Sequence, residues 1–412
     1  MQFHVLSFEG PDGYARAGGL ASRVEGLTTA LSELGFETHL WFVGDPRLPG
    51  HEVRGLLHLH RWCQWISAFH PGGVYDGEEG KHRDYAASLP PHLWEHALRA
   101  HLARGGNAVV LAEEWQTVDA LLHLDAKLRV EGARERVSLL WNANNTFGFE
   151  RIHWERLARA ATLTTVSRYM KHLMRELGAD ALAIPNGLAP DAFDAPDAEG
   201  VGELQRRFRD RTVLVKMARF DPDKRWLLAV ETVAELKCQG WRPLLVARGG
   251  SEPHGAEVFG AARAAGLRVG ERRAARAGVR GLLEALDGLG DVDVVQLHSY
   301  VDPEARRTLF RSADAVLANS GHEPFGLVGL EAMAAGGLAC TGISGEDYAV
   351  PGQNAIVLQT ADPREFIGLF GRLRAKPGEE EVLRRAGQHT SRSYAWAEVL
   401  RRNLLPRLEL AR

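Results

Sequence analysis

An α/β fold made of two Rossmann-like domains is predicted by three observations. The chain has 412 residues, too many for one ordinary core and well suited to two. Short apolar runs alternate with helical patterns in two successive series, the signature of parallel sheets covered on both faces. Between the series lies NGLAPDAFDAPDAEG (186–200), a stretch rich in Pro, Gly and Asp that reads as a linker.

The first series opens with FHVLSF (3–8), a strand ending in a loop. SRVEGLTTALSELG (22–35) is an amphipathic helix stopped by Gly35, and FETHLWFVG (36–44) is the next strand. Further strands are expected at 107–113, 136–142, 162–167 and 181–186. The second series places strands at 211–219, 241–248, 292–298 and 314–320, with helices such as 226–240 between them. The expected domains are 1–187 and 188–390, with a helical segment at 391–412. In such sheets ligands bind at the carboxyl ends of the strands.

Composition narrows the function. Hydrophobic residues at 45% and charged residues at 25% are the balance of a soluble globular protein. With 50 Lys and Arg against 53 Asp and Glu there is no basic excess, so nucleic acid is not expected as a partner. Cys63, Cys238 and Cys340 form no C-x-x-C pair, which argues against a disulfide framework or structural zinc and fits a reducing cytoplasm. MQFHVLSFEG does not read as a signal peptide, and no run of roughly 18 apolar residues predicts a membrane span. Membrane association is not expected.

Four loops carry the candidate chemistry. HEPFGLVGLEAMAAGG (322–337) places Glu323 in a loop after a strand and Glu331 about a turn and a half into a helix. The amides of Phe325, Gly326 and Leu327 at that helix start form an anion site, and carboxylates accept hydrogen bonds from vicinal hydroxyls such as those of ribose or hexose. Alone, the two acids read equally well as a helix-start acid and an exposed helical acid. In KMARFDPDKRW (216–226), Arg219 and Lys224 flank a turn built on Asp221, Pro222 and Asp223. Two cations there can neutralise a diphosphate without a metal. PDGYARAGGLASR (11–23) offers Gly18 and Gly19 for close backbone approach and Arg16 for charge. It is neither a P-loop nor G-x-G-x-x-G, which disfavours a dinucleotide dehydrogenase. Tyr300, after another strand, offers a face for a nucleobase.

These residues resemble a retaining glycosyltransferase of the GT-B fold, of glycosyltransferase family 4, similar to glycogen and starch synthases. The resemblance rests on RAGGL (16–20), EEWQT (113–117), TVSRYMK (165–171), IPNGL (184–188), ARFDPDK (218–224) and HEPFGLVGLEAMAAGG, in family order. It implies that Glu331 binds the donor ribose, Glu323 the transferred sugar, and Arg219 and Lys224 the donor diphosphate. Gly326, Leu327, Gly18 and Gly19 complete the cradle, and Tyr300 matches a base-stacking tyrosine. It also implies that the C-terminal helix crosses back to the first domain, that Trp396 and Leu400 pack there, and that domain closure excludes water. Glu113-Glu114-Trp115 stands where glycogen synthases have His-Asp-Trp, and Asn142 aligns with a histidine near the donor sugar. Glu114 and Asn142 are therefore the candidate sugar or acceptor residues.

The function implied is transfer of a hexosyl group, glucosyl foremost, from a nucleotide diphosphate sugar to a hydroxyl acceptor such as a sugar or α-glucan. The anomeric configuration is retained by front-face attack. No cofactor or metal is expected, there being no H-E-x-x-H or clustered Asp ligands. A catalytically silent sugar-nucleotide binder and a GT-B epimerase or phosphorylase are the alternatives. Two further stretches stand apart. HRWCQWISAFHPGGVYDGEEGKHRDY (60–85) reads as an aromatic acceptor site or a packed insertion loop, and GLRVGERRAARAGVRGLLEAL (266–286) as a solvated helix.

Overall fold

A computed structural model describes residues 1–410; residues 411 and 412 of the expected C-terminal helix lie outside the described residues. The chain forms two compact units, one of Met1–Gly187 with the segment from Trp396 onward, the other of Leu188–Ala395. Both are Rossmann-like, with helices packed on a parallel sheet.

The first unit holds β1 (Gln2–Leu6), β2 (Glu37–Val43), β3 (His51–Arg54), β4 (Leu57–Trp62), β5 (Ala108–Glu113), β6 (Val137–Ala143), β7 (Thr162–Thr165) and β8 (Leu182–Ala183). Their order across the sheet is β3-β4-β2-β1-β5-β6-β7-β8. Neighbours are parallel except β3, which turns back antiparallel on β4. The central strands are buried along their whole length, which is why they read as continuous apolar runs.

The helix Gly19–Glu33 packs its apolar face, Val24, Leu27 and Leu31, against the returning C-terminal segment. That segment runs Trp396–Val399, a wider π turn Leu400–Leu404, then Leu405–Leu410. Trp396, Val399, Leu400 and Leu404 are buried in the core of the first unit. Gly26 explains itself here. Glycine inside a helix costs about 1 kcal/mol relative to alanine. A Cβ at Gly26, however, would sit 2.2 Å from Trp396 Nε1, so only glycine admits the indole.

The second unit holds β9 (Thr212–Met217), β10 (Pro243–Arg248), β11 (Val269–Arg272), β12 (Val294–Leu297), β13 (Ala315–Ala318), β14 (Ala339–Thr341) and β15 (Ile356–Val357). Their order is β11-β12-β10-β9-β13-β14-β15. The helix Trp226–Cys238 buries Trp226, Ala229, Val230, Val233 and Leu236, a helical stripe, on this sheet.

Two stretches differ from expectation. Residues 60–85 are a loop only at 68–77: β4 runs to Trp62, a short helix Gln64–Ser67 follows, and the helix Glu78–Leu93 begins inside the stretch. Residues 266–286 are not one helix. Gly266 has φ +75, Val269 pairs with Val294 to make β11, and the helix starts only at Gly278. Backbone pairing with β12 outcompetes the helical pattern, which the glycines already weaken.

The outer part of the first sheet carries an array of imidazoles on one face. Strand residues two apart share a face, and parallel register aligns His4 with His39 and His39 with His58. His60 stacks on Trp41 at 3.7 Å, and His51 of β3 stacks on His60 at 4.6 Å. Burial, then the neighbouring imidazoles, pulls His39 down to about 4 and His60 to about 2; His4 is also held well below the usual range.

These histidines are neutral in the folded chain and protonate near 6.5 when unfolded. The unfolded state therefore binds more protons below that pH. Stability should be complete above pH 6.5 and fall as pH drops from 6.5 toward 4, by about 1.4 kcal/mol per pH unit for each such histidine. Urea melts of the metal-free protein at pH 7.5, 6 and 5 measure this. His39→Gln should flatten the dependence.

Candidate active site

In the order β10-β9-β13, the chain leaves β9 to one side and β13 lies on the other. The carboxyl ends of β9 and β13 thus flank the topological switch point of the second unit, where open α/β sheets bind ligands. β9 feeds the turn 218–225. The Asp221 side chain caps it, accepting the Asp223 N–H at 2.9 Å, and Pro222 sets the following φ. β13 feeds the loop 319–326. Asp223 ties the two loops together: its carbonyl accepts the Gly321 N–H at 2.7 Å and its carboxylate the His322 N–H at 3.0 Å.

This splice places Lys224 Nζ 2.7 Å from Glu323 Oε2. Ser320 Oγ donates to the same Glu323 oxygen at 2.9 Å, and the Glu323 N–H donates to Ser344 Oγ at 2.8 Å. Beneath the pair, Lys216 is buried and donates to Leu317 O at 3.1 Å and Asn319 Oδ1 at 3.3 Å. Burial pulls its amine down to about 7. Burial, with Glu323 nearby, pushes the Glu346 carboxyl up to about 7.

Gly326 caps the helix Leu327–Ala334 at φ +81, where a Cβ would meet Glu346 Cγ at 2.7 Å. Only glycine fits both the dihedral and the space. The amides of Phe325, Gly326 and Leu327 carry no hydrogen bond among the described residues. The Phe325 ring is buried beside Tyr348 and Tyr394.

The structure thus brings Lys224, Glu323 and the helix N-terminus together. Arg219 lies on the same turn, exposed, with no ion pair or hydrogen bond to its guanidinium among the described residues. Glu331, further along the same helix, is paired with Arg306 at 3.1 Å. Burial raises its pKa, against the pull of Arg306. Tyr300 stands 72% exposed after β12.

In the first unit the switch point falls between β1 and β5, on either side of which the sheet turns outward. The loop after β1 carries Gly18 and Gly19, but Glu9 already fills the helix N-terminus there. Its carboxylate accepts the N–H of Gly18 at 2.9 Å and of Ala21 at 3.1 Å, and the Tyr75 hydroxyl at 2.7 Å. Gly19 remains open, with nothing within 4 Å of where a Cβ would stand. Arg16 is paired with Glu25 at the surface.

Beyond β5 the chain reverses at Glu114, whose φ of +65 and ψ of 169 lie where L-residues are strained. Its buried carboxyl accepts the Asn144 N–H at 2.7 Å, and burial raises its pKa to about 8. Around it, three buried side-chain atoms have no partner among the described residues: Trp115 Nε1, Gln116 Oε1 and Asn144 Oδ1. Native interiors rarely leave such groups unpaired.

Asn142 is fully buried and already satisfied. Its amide donates to Glu113 at 2.9 Å and accepts from Thr164 at 2.9 Å, while its backbone carbonyl accepts the Glu114 N–H at 3.0 Å. Neither end of the side chain is left to meet a sugar. The residues that sequence reading missed are Glu9, Lys216, Arg306, Glu346, Gln116 and Asn144. Lys216 and Glu9 did leave a signal, as single charges next to apolar strands.

The fold is GT-B, and known proteins share it. Residues 205–390, nearly all of the second unit, match the family model of glycosyl transferases group 1. A D-inositol 3-phosphate glycosyltransferase of Geodermatophilus obscurus is 26% identical over 235 residues, 56% of this chain and 48% of that protein. The match thus spans about half the length of that curated relative. Among solved structures, sucrose-phosphate synthase from Thermosynechococcus elongatus superposes with a TM-score of 0.66 at 19% identity, covering 100% of both chains. The catalytic domain of starch synthase IV from Arabidopsis thaliana, bound to ADP and acarbose, gives 0.67 at 16% identity over 100% of this chain and 99% of that one.

Backbone strain of about 1–3 kcal/mol at Glu114 implies a role other than stability. Glu114→Gly relieves the strain while removing the carboxyl. Its unfolding free energy should stay within about 1 kcal/mol of wild type, because strain relief offsets glycine's entropy cost. A loss of stability above about 3 kcal/mol, read by urea melts, would show that the carboxyl is held for the fold instead.

Proposed function

We propose that the chain is a retaining hexosyltransferase of glycosyltransferase family 4. It moves a hexosyl group, glucosyl foremost, from a nucleotide diphosphate sugar to a sugar hydroxyl. The observation that carries this reading is the pairing of Lys224 with Glu323 at the switch point of the second unit, beside open helix amides and the unpaired Arg219. A diphosphate needs that cation set, and its arrival would free Glu323 for the sugar. Departure of the nucleoside diphosphate leaves charge that Arg219, Lys224 and the amides of Phe325, Gly326 and Leu327 stabilise.

The anomeric carbon becomes oxocarbenium-like as the leaving bond lengthens. The acceptor hydroxyl then attacks from the same face, giving its proton to the departing phosphate oxygen. Glu331 takes the ribose hydroxyls, turning from Arg306 or sharing it, and Tyr300 stacks on the base. In the first unit, Glu114 with the unpaired atoms of Trp115, Gln116 and Asn144 binds the acceptor. Names among the similar proteins, inositol phosphate and sucrose-phosphate, support a small polyol or sugar, phosphorylated or not, as that acceptor.

A silent sugar-nucleotide binder is the second reading, favoured by Asn142 being locked into the interior. Release of nucleoside diphosphate from UDP-, ADP- and GDP-glucose, with and without sugar acceptors, separates the two. Nucleotide binding without turnover for any donor supports the binder.

Arg219→Ala and Lys224→Ala should each lower turnover by on the order of 100-fold or more with the circular dichroism spectrum intact. Full activity in both variants would remove the diphosphate assignment. Glu331→Ala should weaken binding of the free nucleoside diphosphate by about tenfold, the worth of a hydrogen bond to a charged group. Titration calorimetry reads that change directly, and an unchanged affinity would take the ribose from Glu331.

A further inference from the structure

The imidazole array on the outer first sheet lies apart from the loops that carry the proposed transfer, and the transferase reading does not use it. We infer that His39, His58 and His60 bind one divalent transition-metal ion of the zinc class, joining β2 to β4. The inference stands independently of the proposed function.

The sequence prepares the site by spacing. LLHLHRW sets His58 and His60 two residues apart on β4, so both rings project from one face. Parallel register sets His39 of β2 opposite His58, on that same face. One ring nitrogen from each of the three lies within 4.8 Å of the others. His39 Nδ1 and His60 Nε2 are already 3.0 Å apart. Two ligand nitrogens about 2.0–2.1 Å from one tetrahedral ion stand about 3.3–3.4 Å apart, so a shift of a few tenths of an ångström would seat the ion.

The surrounding groups orient the ligands as metal sites require. A metal-bound imidazole is steadied when its other nitrogen is hydrogen-bonded, typically to a carboxylate. His39 Nε2 lies 3.3 Å from Glu37 Oε1, which accepts from its N–H when Nδ1 is the ligand. His58 Nδ1 lies 3.2 Å from His51 Nε2, which leaves His58 Nε2 for the ion. Trp41 stacks on His60 with 8° between the planes and holds that ring in place.

Binding needs one proton to move. In the metal-free array, His39 Nδ1 and His60 Nε2 share a single proton in their hydrogen bond. With His39 protonated on Nε2 toward Glu37 and His60 donating from Nε2 to His39 Nδ1, the ion takes both lone pairs as the His60 proton moves from Nε2 to Nδ1, and both rings stay neutral. Water completes the coordination from the edge, where His58 and His60 are partly exposed.

The chain is stripped with a chelator and titrated with Zn²⁺ alone by calorimetry, with metal content and thermal melting read in parallel. One ion per chain and a higher melting temperature are expected. His58→Gln and His60→Gln should each abolish that site, and Glu37→Gln should weaken it by about 10- to 100-fold. His172→Gln, an exposed histidine elsewhere, should leave it unchanged. Should His60→Gln fail to fold by circular dichroism, His58→Gln, on a partly exposed ring, carries the test. Zero stoichiometry in wild type overturns the proposal, as does equal Zn²⁺ binding by wild type and His58→Gln.

Discussion

The carboxylate of Glu113, directly and through Arg23, holds five parts of the first unit in place. It accepts both of its oxygens' worth of hydrogen bonds from Arg23 Nε at 3.0 and 3.1 Å, and further bonds from the amides of Asn142 and Asn144. Arg23 also reaches Asn186 Oδ1 at 2.6 Å and lies over the Trp396 ring. One ion pair therefore links the first helix, the ends of β5 and β6, the exit from β8 and the returning C-terminal segment. Both partners are essentially buried. A buried pair contributes little net stability, but losing one partner strands the other at a cost of about 3–5 kcal/mol. The setting of Glu114 is tied to this pair through Asn144, which gives its side-chain amide to Glu113 and its backbone N–H to Glu114.

The two switch points solve the same problem with opposite charges. Each presents a helix N-terminus at the end of a central strand, and such an end attracts an anion. In the second unit the amides make no hydrogen bond among the described residues, and Lys224 beside them pairs with Glu323. In the first unit Glu9 supplies the anion from within the chain. A glycine-rich loop before a helix is thus an address for negative charge in general, and the sequence motif alone does not distinguish a ligand's charge from the protein's own.

Much of the architecture was legible because parallel strands buried on both faces announce themselves as apolar runs, as VLVKM and LLVAR do. The last short strands were not, since β14 and β15 hold three and two residues and leave no periodicity. At the site, the spacing of Arg219, Lys224, Glu323 and Gly326 was visible because turn and helix-start chemistry is local. Glu331 with Arg306, and Glu9 with Tyr75, join residues distant in sequence, and no local pattern encodes them. The histidine array was hidden for a related reason: it exists only through the pairing of β2, β4 and β3, and part of β4 lay in a stretch that reads as a loop.

The closeness of Trp396 to Gly26 and Gly187 also has a bearing on how the chain is made. The first unit is discontinuous: its core lacks Trp396, Val399, Leu400 and Leu404 until the ribosome has passed the whole of Leu188–Ala395. At cellular synthesis speeds that interval lasts roughly 10–40 s. During it the apolar stripe of the first helix has no cover, while the second unit, continuous in sequence, can close on its own. The order of synthesis and the order of completion are therefore reversed, and the half that emerges first is the half that depends longest on protection from aggregation.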